Sequence, residues 1–112
     1  MLLRRATPRR NGPAISRAGL LASKSRGRLA VVWLHAPGKT AWAALHTVRR
    51  HGGRVEGVIV LELDVPRRWL RRNRLGLWYT PRDVPPERIR RVITFGELSR
   101  SPVEEAPRPA AE

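Results

Sequence analysis

The chain has 112 residues, enough for one domain, and a formal net charge of +14 from 23 Lys and Arg against 9 Asp and Glu. It contains no cysteine, which excludes disulfides and thiolate metal sites, and its three histidines lack further ligands, so no metal is expected. The longest apolar run, residues 57–61, cannot span a bilayer, and Arg4 and Arg5 interrupt any signal-peptide core, so we expect a cytoplasmic protein without membrane association.

The basic charge is concentrated in the first half of the chain. Residues 1–55 hold 12 Lys and Arg and no acid, whereas residues 56–112 hold 11 Lys and Arg and 9 acids. Such an imbalance indicates a polyanionic partner: RNA, DNA or a phosphate-rich cofactor. Two different causes stay open, since GC-rich coding enriches arginine without function and an acid-free, Arg-rich start is typical of an organellar transit peptide.

The first third of the chain predicts one helix and one strand after a basic N-terminus. Residues 1–12 carry a proline and a glycine among basic residues, which is typical of either a disordered arm or a frayed first strand. Residues 14–21 show apolar residues at helical spacing, residues 23–28 form a basic loop, and the β-branched and aromatic run at 29–35 predicts a strand.

The sequence Gly38-Lys39-Thr40 reads like the end of a phosphate-binding P-loop, but the first glycine of that motif falls at Trp33. We therefore predict a strand-to-helix turn in which Thr40 caps the helix and Lys39 is solvated.

The clearest helix covers residues 40–53. Ala41, Leu45 and Val48 predict its buried stripe, and Gly52 its end.

The second half predicts mainly strands. Residues 56–64 alternate, with Ile59, Leu61 and Leu63 on one face, and the segment is apolar enough to be a central strand. Residues 66–74 predict a helix that begins at Pro66 and carries several arginines on one face.

Residues 75–80 and 89–95 predict two further strands, joined by a proline-punctuated turn. Residues 1–99 therefore predict a single α+β domain of small mixed β-sheets flanked by short helices, followed by a disordered tail at 100–112. The connection from residues 29–35 through the helix to residues 57–64 fits either a right-handed βαβ unit or antiparallel pairing.

Two groups of residues suggest binding chemistry. The first is an arginine-rich turn in which guanidinium groups suit phosphates and Trp69 suits stacking; the alternative is a solvated face with Trp69 and Leu70 packed inward. The arginines of this turn are Arg67, Arg68, Arg71, Arg72 and Arg74.

The second group is the segment "GLWYTPRDVPPERI". Trp78 and Tyr79 fall on opposite faces of a strand, and two prolines fix a turn just before Glu87, which suits ligand positioning. The alternative is a structural corner in which Glu87 pairs with Arg90 or Arg91.

That segment resembles the G-(V/I)-W-L-T…(V/I)-P-P-E block of the ADP-ribosyltransferase-like superfamily, nearest to the NAD-dependent RNA 2'-phosphotransferases. The segment "RAGLLASKSRGRLAVVWL" is similar to the helix, loop and second strand of that superfamily, and "VIVLELDVP" to its long strand. Together the three blocks cover about residues 14–95, in the family's order.

The resemblance implies a cleft that binds NAD and a transferase acting on, or a protein binding, a phosphorylated RNA. Members usually carry H-x-T on the first strand; here "LRRAT" aligns Arg5 and Thr7 with it, so Arg5 replaces the histidine. By position, Arg71 or Arg72 would hold the 2'-phosphate. Trp78 and Tyr79 would line the cofactor pocket.

Glu87 and Arg72 are the catalytic residues that the resemblance implies, with Glu87 orienting the acceptor. The alternative function is a small non-enzymatic nucleic-acid-binding protein, with Arg68, Arg71, Arg72 and Arg74 on phosphates. The enzyme hypothesis requires Arg5 and Thr7 in a strand beside Tyr79. The alternative requires the arginine-rich turn and the basic N-terminus to form one exposed surface without a cleft.

Overall fold

The computed structural model describes residues 1–25, 29–94 and 96–97 and has a small α+β architecture, as predicted. Two antiparallel three-stranded sheets carry two α-helices among these residues. The elements are β1 (Leu2–Pro8), α1 (Gly12–Ala18), β2 (Val32–Leu34), α2 (Thr40–His51), β3 (Val58–Asp64), β4 (Arg71–Arg72), β5 (Trp78–Thr80) and β6 (Ile89–Thr94). The tail predicted to be disordered, residues 100–112, lies outside the described residues.

The first sheet has the order β1-β3-β6, with β3 in the centre as its apolar middle predicted. Ile59, Leu61 and Leu63 of β3 belong to the larger core, and Val58 and Val60 belong to a second core on the other face. The strand is therefore buried on both faces, which explains its near-continuous apolar sequence.

The second sheet has the order β2-β5-β4 and joins the first at one point. Arg4 of β1 and His35, just after β2, exchange two backbone hydrogen bonds of 2.8 and 2.9 Å. Because β2 and β3 lie in different sheets, the βαβ alternative is wrong and the antiparallel alternative is correct.

Residues 1–12 contain a true first strand, Leu2–Pro8, rather than a disordered arm. Seven residues of β1 pair with β3, and the Leu3 side chain is fully buried. Asn11, just before α1, donates a hydrogen bond of 3.1 Å from its amide to the hydroxyl of Thr7.

Helix α2 has nearly the predicted bounds, but of the predicted buried stripe only Val48 packs against a core. Ala43, Ala44 and Thr47 are buried, whereas Ala41 and Leu45 are exposed. Small side chains let the helix pack closely on β1, and the hydroxyl of Thr47 donates 2.8 Å to the Ala43 carbonyl, which satisfies a buried polar group.

The cap predicted at Thr40 is also wrong. Its hydroxyl makes no cap hydrogen bond; it donates 2.7 Å to the Pro37 carbonyl and accepts 3.0 Å from the Arg4 guanidinium. Thr40 is 1% exposed, and its hydrogen bond with Arg4 joins the start of α2 to β1. Lys39 is exposed, as predicted.

The helix predicted at 66–74 does not form. A 3-10 turn at Arg67–Trp69 leads into the two-residue strand β4, because Leu70 is buried in the larger core. Asn73 then closes a turn: its side-chain oxygen accepts from the backbone N–H groups of Leu75 and Leu77 at 3.0 and 2.9 Å. The arginines that a helix over residues 66–74 would have placed on one face therefore do not share a face.

Candidate functional site

Arg4 and Arg5 lie side by side in β1 and have different surroundings. Arg4, 7% exposed, donates to Glu62 at 3.1 and 3.2 Å. Glu62 also lies 3.3 Å from the guanidinium of Arg91, and the hydroxyl of Thr40 accepts a further bond from Arg4. This buried ion pair is structural, and no pattern in the sequence identified it.

Arg5 has no acidic partner among the described residues. Its Nη1 donates 3.1 Å to the backbone carbonyl of Trp33, and its buried Nε has no partner among them. Burial lowers the pKa of the Arg5 guanidinium from its usual value, and the charge of Arg50 lowers it further. A partly buried cation without a counter-charge attracts an anionic group.

The second sheet carries an aromatic row next to Arg5. Trp33 of β2 pairs in register with Tyr79 of β5, and Tyr79 pairs with Arg71 of β4. The Trp33 and Tyr79 rings lie 5.2 Å apart at 49°, and both side chains are partly buried. Trp33, Tyr79 and Arg71 therefore lie in register across the second sheet, and Arg5 of the first sheet reaches them through its hydrogen bond to the Trp33 carbonyl; we call these four residues the Arg5–Arg71 row.

The enzyme hypothesis requires Arg5 and Thr7 to lie in a strand beside Tyr79, and the structure meets this condition in part. Arg5 and Thr7 lie in β1 as predicted, and β1 adjoins β2, so Arg5 is one strand away from Tyr79. Thr7 is buried, and its hydroxyl accepts a hydrogen bond from the Asn11 side chain. Trp33, which was not among the predicted site residues, lies between the two.

His35 is a further buried polar residue at the junction of the sheets. It is 5% exposed, and its Nε2 has no hydrogen-bond partner among the described residues. Burial, then the charges of Arg4 and Arg5, lower the pKa of His35 to about 4, so the imidazole is neutral at pH 7. The sequence gives no sign of this environment, because the pairing of His35 with Arg4 is long-range.

The arginine-rich turn is exposed, but its aromatic residues are covered. Trp69 packs against the larger core with the guanidinium of Arg82 3.8 Å from its ring centroid, and Arg72 lies 4.8 Å from Trp78. Leu70 is 7% exposed, so the inward packing of Trp69 and Leu70 is confirmed. The arginines Arg67, Arg68, Arg71, Arg72 and Arg74 are all exposed.

The condition set for the nucleic-acid hypothesis is not met in full. The arginine-rich turn is exposed, but Arg4 is buried in an ion pair and Arg5 is partly buried in β1. The basic N-terminus and the turn therefore do not form one exposed surface.

Glu87 lies apart from the Arg5–Arg71 row. It is exposed in a 3-10 turn at Pro86–Arg88, with no hydrogen bond or ion pair to the described residues. The ion pairs predicted for it are wrong, because Arg90 contacts Asp64 at 3.4 Å and Arg91 contacts Glu62. A catalytic role for Glu87 or Arg72 stays a prediction.

A surface cleft of about 390 Å³ opens beside Pro86. Ile59 and Leu61 form part of its apolar floor, and their cross-strand partners in β1 are Thr7 and Arg5. Directly paired residues point to the same face, so Arg5 and Thr7 lie on the face of the sheet that carries the cleft, although neither lines it.

Residues 1–25, 29–94 and 96–97 lack two kinds of feature. No helix there is long and apolar enough to cross a membrane. No group of three or more His, Asp or Glu side chains in that part of the chain is arranged to hold a metal ion.

Neither protein-family models nor curated proteins yield a match to this chain.

Proposed function

We propose that the chain binds NAD through the Arg5–Arg71 row, as an ADP-ribosyltransferase-like protein. The observation that carries the proposal is Arg5, a partly buried guanidinium with no acidic partner among the described residues. A pyrophosphate supplies the missing negative charge, and guanidinium groups bind phosphate with paired hydrogen bonds.

The rest of the row fits the other parts of a dinucleotide. Trp33 and Tyr79 offer partly exposed aromatic surface for a planar ring, and Arg71 provides a second, exposed cation. The adjoining cleft is apolar and lies on the face to which Arg5 and Thr7 point. Transfer to a phosphorylated RNA, with Glu87 orienting the acceptor, is the activity that the resemblance implies for such a site.

The test is a thermal-shift titration with NAD at about 50 mM and about 200 mM salt, since screening weakens bare charge contacts far more than a formed pocket. We expect a rise in Tm that survives the higher salt. Arg5→Gln is expected to weaken NAD binding about 10-fold or more, because hydrogen bonds to charged groups contribute about 1.5–3 kcal/mol.

The ligand-free variant gives a second readout. Removing a partly buried, uncompensated charge relieves its desolvation cost, so Arg5→Gln should have a ligand-free Tm at or above that of the wild type. Arg74→Gln removes one exposed charge outside the row and is the matched control, with unchanged NAD binding expected. Equal loss of binding in both variants contradicts the proposal.

A second candidate function is nucleic-acid binding without catalysis. It is favoured by the acid-free segment 65–82, whose five exposed arginines in the turn are suited to phosphates. It predicts RNA binding that falls steeply with salt and no effect of NAD on Tm.

A further inference from the structure

The four tryptophans differ in how much of each ring is available to a ligand. Trp69 and Trp78 are partly buried with arginine guanidinium groups over their rings, and Trp33 packs against Tyr79. Trp42, on α2, is 50% exposed. A tryptophan with half of its surface in solvent, on the side of the helix that faces away from the cores, does not stabilise the fold by burial.

The indole ring of Trp42 stacks on the imidazole ring of His46. The ring of His46, one helical turn later, lies 5.3 Å from the indole at an interplanar angle of 15°. Stacking of this kind orients the indole and extends the aromatic surface along the helix.

The helix that carries Trp42 is basic and contains no acid. Arg49 follows two helical turns later on the same face, about 10 Å along the axis, and Lys39 and Arg50 lie next to that face. All three are exposed, and the chain has no Asp or Glu before Glu56. We call Trp42, His46 and Arg49 the α2 face.

We propose that the α2 face binds single-stranded nucleic acid, with an unpaired base stacked on Trp42 and phosphates on Arg49 and Lys39. An exposed aromatic ring flanked by cations is the recurring arrangement for unpaired bases, which present a flat ring and a regular negative charge. A duplex hides its base faces and is disfavoured. A second copy of this chain would bring another +14 charge to the same basic surface.

The α2 face does not depend on NAD binding by the Arg5–Arg71 row. It rests on the nucleic-acid candidate in one respect, which is that the protein must bind single-stranded nucleic acid. It differs from that candidate in its location, because the arginine-rich turn lies in β4 and its flanks.

The experiment is fluorescence anisotropy of a labelled oligouridylate of about 12 nucleotides, a typical site size, with an RNA duplex of equal length as the comparison. We expect the single strand to bind more tightly than the duplex. Trp42→Ala should weaken its binding roughly 5- to 150-fold, the range for loss of one stacked base, and Trp42→Phe should retain most of the affinity. An oligodeoxythymidylate distinguishes RNA from DNA.

Leu45→Ala is the matched control, because Leu45 is 53% exposed on the same helix and offers apolar area without a ring. It should change the affinity little. Equal loss in Leu45→Ala and Trp42→Ala overturns stacking in favour of a general apolar contact, such as a protein partner.

Three other results overturn the proposal. Unchanged oligouridylate binding in Trp42→Ala refutes the α2 face and leaves the arginine-rich turn as the polyanion site. No binding to the wild type at about 50 mM salt removes the nucleic-acid candidate as well. A dimer that sedimentation detects without RNA, and that Trp42→Ala dissociates, makes the face a self-interface. The NAD titration of Trp42→Ala should match the wild type in every case.

Discussion

Neutralising Glu62 tests whether the buried ion pair with Arg4 holds β1 to β3 in the first sheet. The two side chains are 16% and 8% exposed, and the variant Glu62→Gln leaves the Arg4 charge in place without that carboxylate. Removing one partner of a buried pair costs about 3–5 kcal/mol. For a domain of this size, about 4–8 °C per kcal/mol gives a fall in Tm of at least about 12 °C.

Asp64→Asn is the matched control. Asp64 lies on the same strand and loses the same unit of charge, but it is 43% exposed and its partner Arg90 is 62% exposed. Exposed pairs contribute about 0–1 kcal/mol, so a far smaller fall in Tm is expected. Thermal and urea unfolding of both variants measure the difference.

A double variant separates the charge from the packing. Arg4→Met with Glu62→Leu removes both charges and retains most of the apolar volume, so it should lie within about 1 kcal/mol of the wild type. If Glu62→Gln and Asp64→Asn lose equal stability, the ion pair does not anchor the sheet and the reasoning from burial is wrong.

Two further predictions follow from buried groups and backbone geometry. Because the folded pKa of His35 is about 4 and its usual value is 6.5, the unfolded chain binds the extra proton first, so stability should fall as the pH drops from 6.5 to 4. In the His35→Gln variant, the free energy of unfolding should fall by about 3 kcal/mol less over this pH range. Urea unfolding at each pH measures this difference, and a pH profile equal to that of the wild type contradicts the prediction. Gly19 and Gly52 have φ near +78° and +79°, but only at Gly19 would a Cβ meet the Val84 carbonyl, at 2.1 Å. Gly52→Ala should lower the free energy of unfolding by about 1–3 kcal/mol. Gly19→Ala should lower it by about 2 kcal/mol more, because the two backbone hydrogen bonds between Leu20 and Val84 must open. Equal losses of stability in the two variants refute the clash.

The strands with strong apolar alternation were predictable from the sequence. β3 has a near-continuous apolar run and its residues alternate between two cores, so its central position and the face of Ile59, Leu61 and Leu63 were correct. β5, at Trp78–Thr80, forms only the second half of the strand predicted at residues 75–80, whereas β6 begins at Ile89 as predicted. Local patterning suffices where each residue's burial follows from its own polarity.

The faces of α2 were not predictable in the same way. The helix packs closely, so it buries alanine and threonine and leaves Trp42 and Leu45 in solvent. A hydrophobicity pattern assigns the larger side chains to the core, whereas the space between α2 and β1 selects the small ones. The same long-range effect converts residues 66–74 from a predicted helix into a turn and a short strand.

The pairing of charges gives the site at Arg5 a cause in the sequence besides the alignment of "LRRAT" with the H-x-T motif. β1 places two arginines inside an apolar strand, in a half-chain with no acid. Any counter-charge must come from a distant segment, and Glu62 of the neighbouring strand reaches Arg4 on one face of the sheet. On the other face, β3 offers Leu61 to Arg5, so that guanidinium lacks a carboxylate from its partner strand. An apolar residue at position 5 would fold at lower cost, so this arginine is the position at which the proposed anion binding is tested most directly.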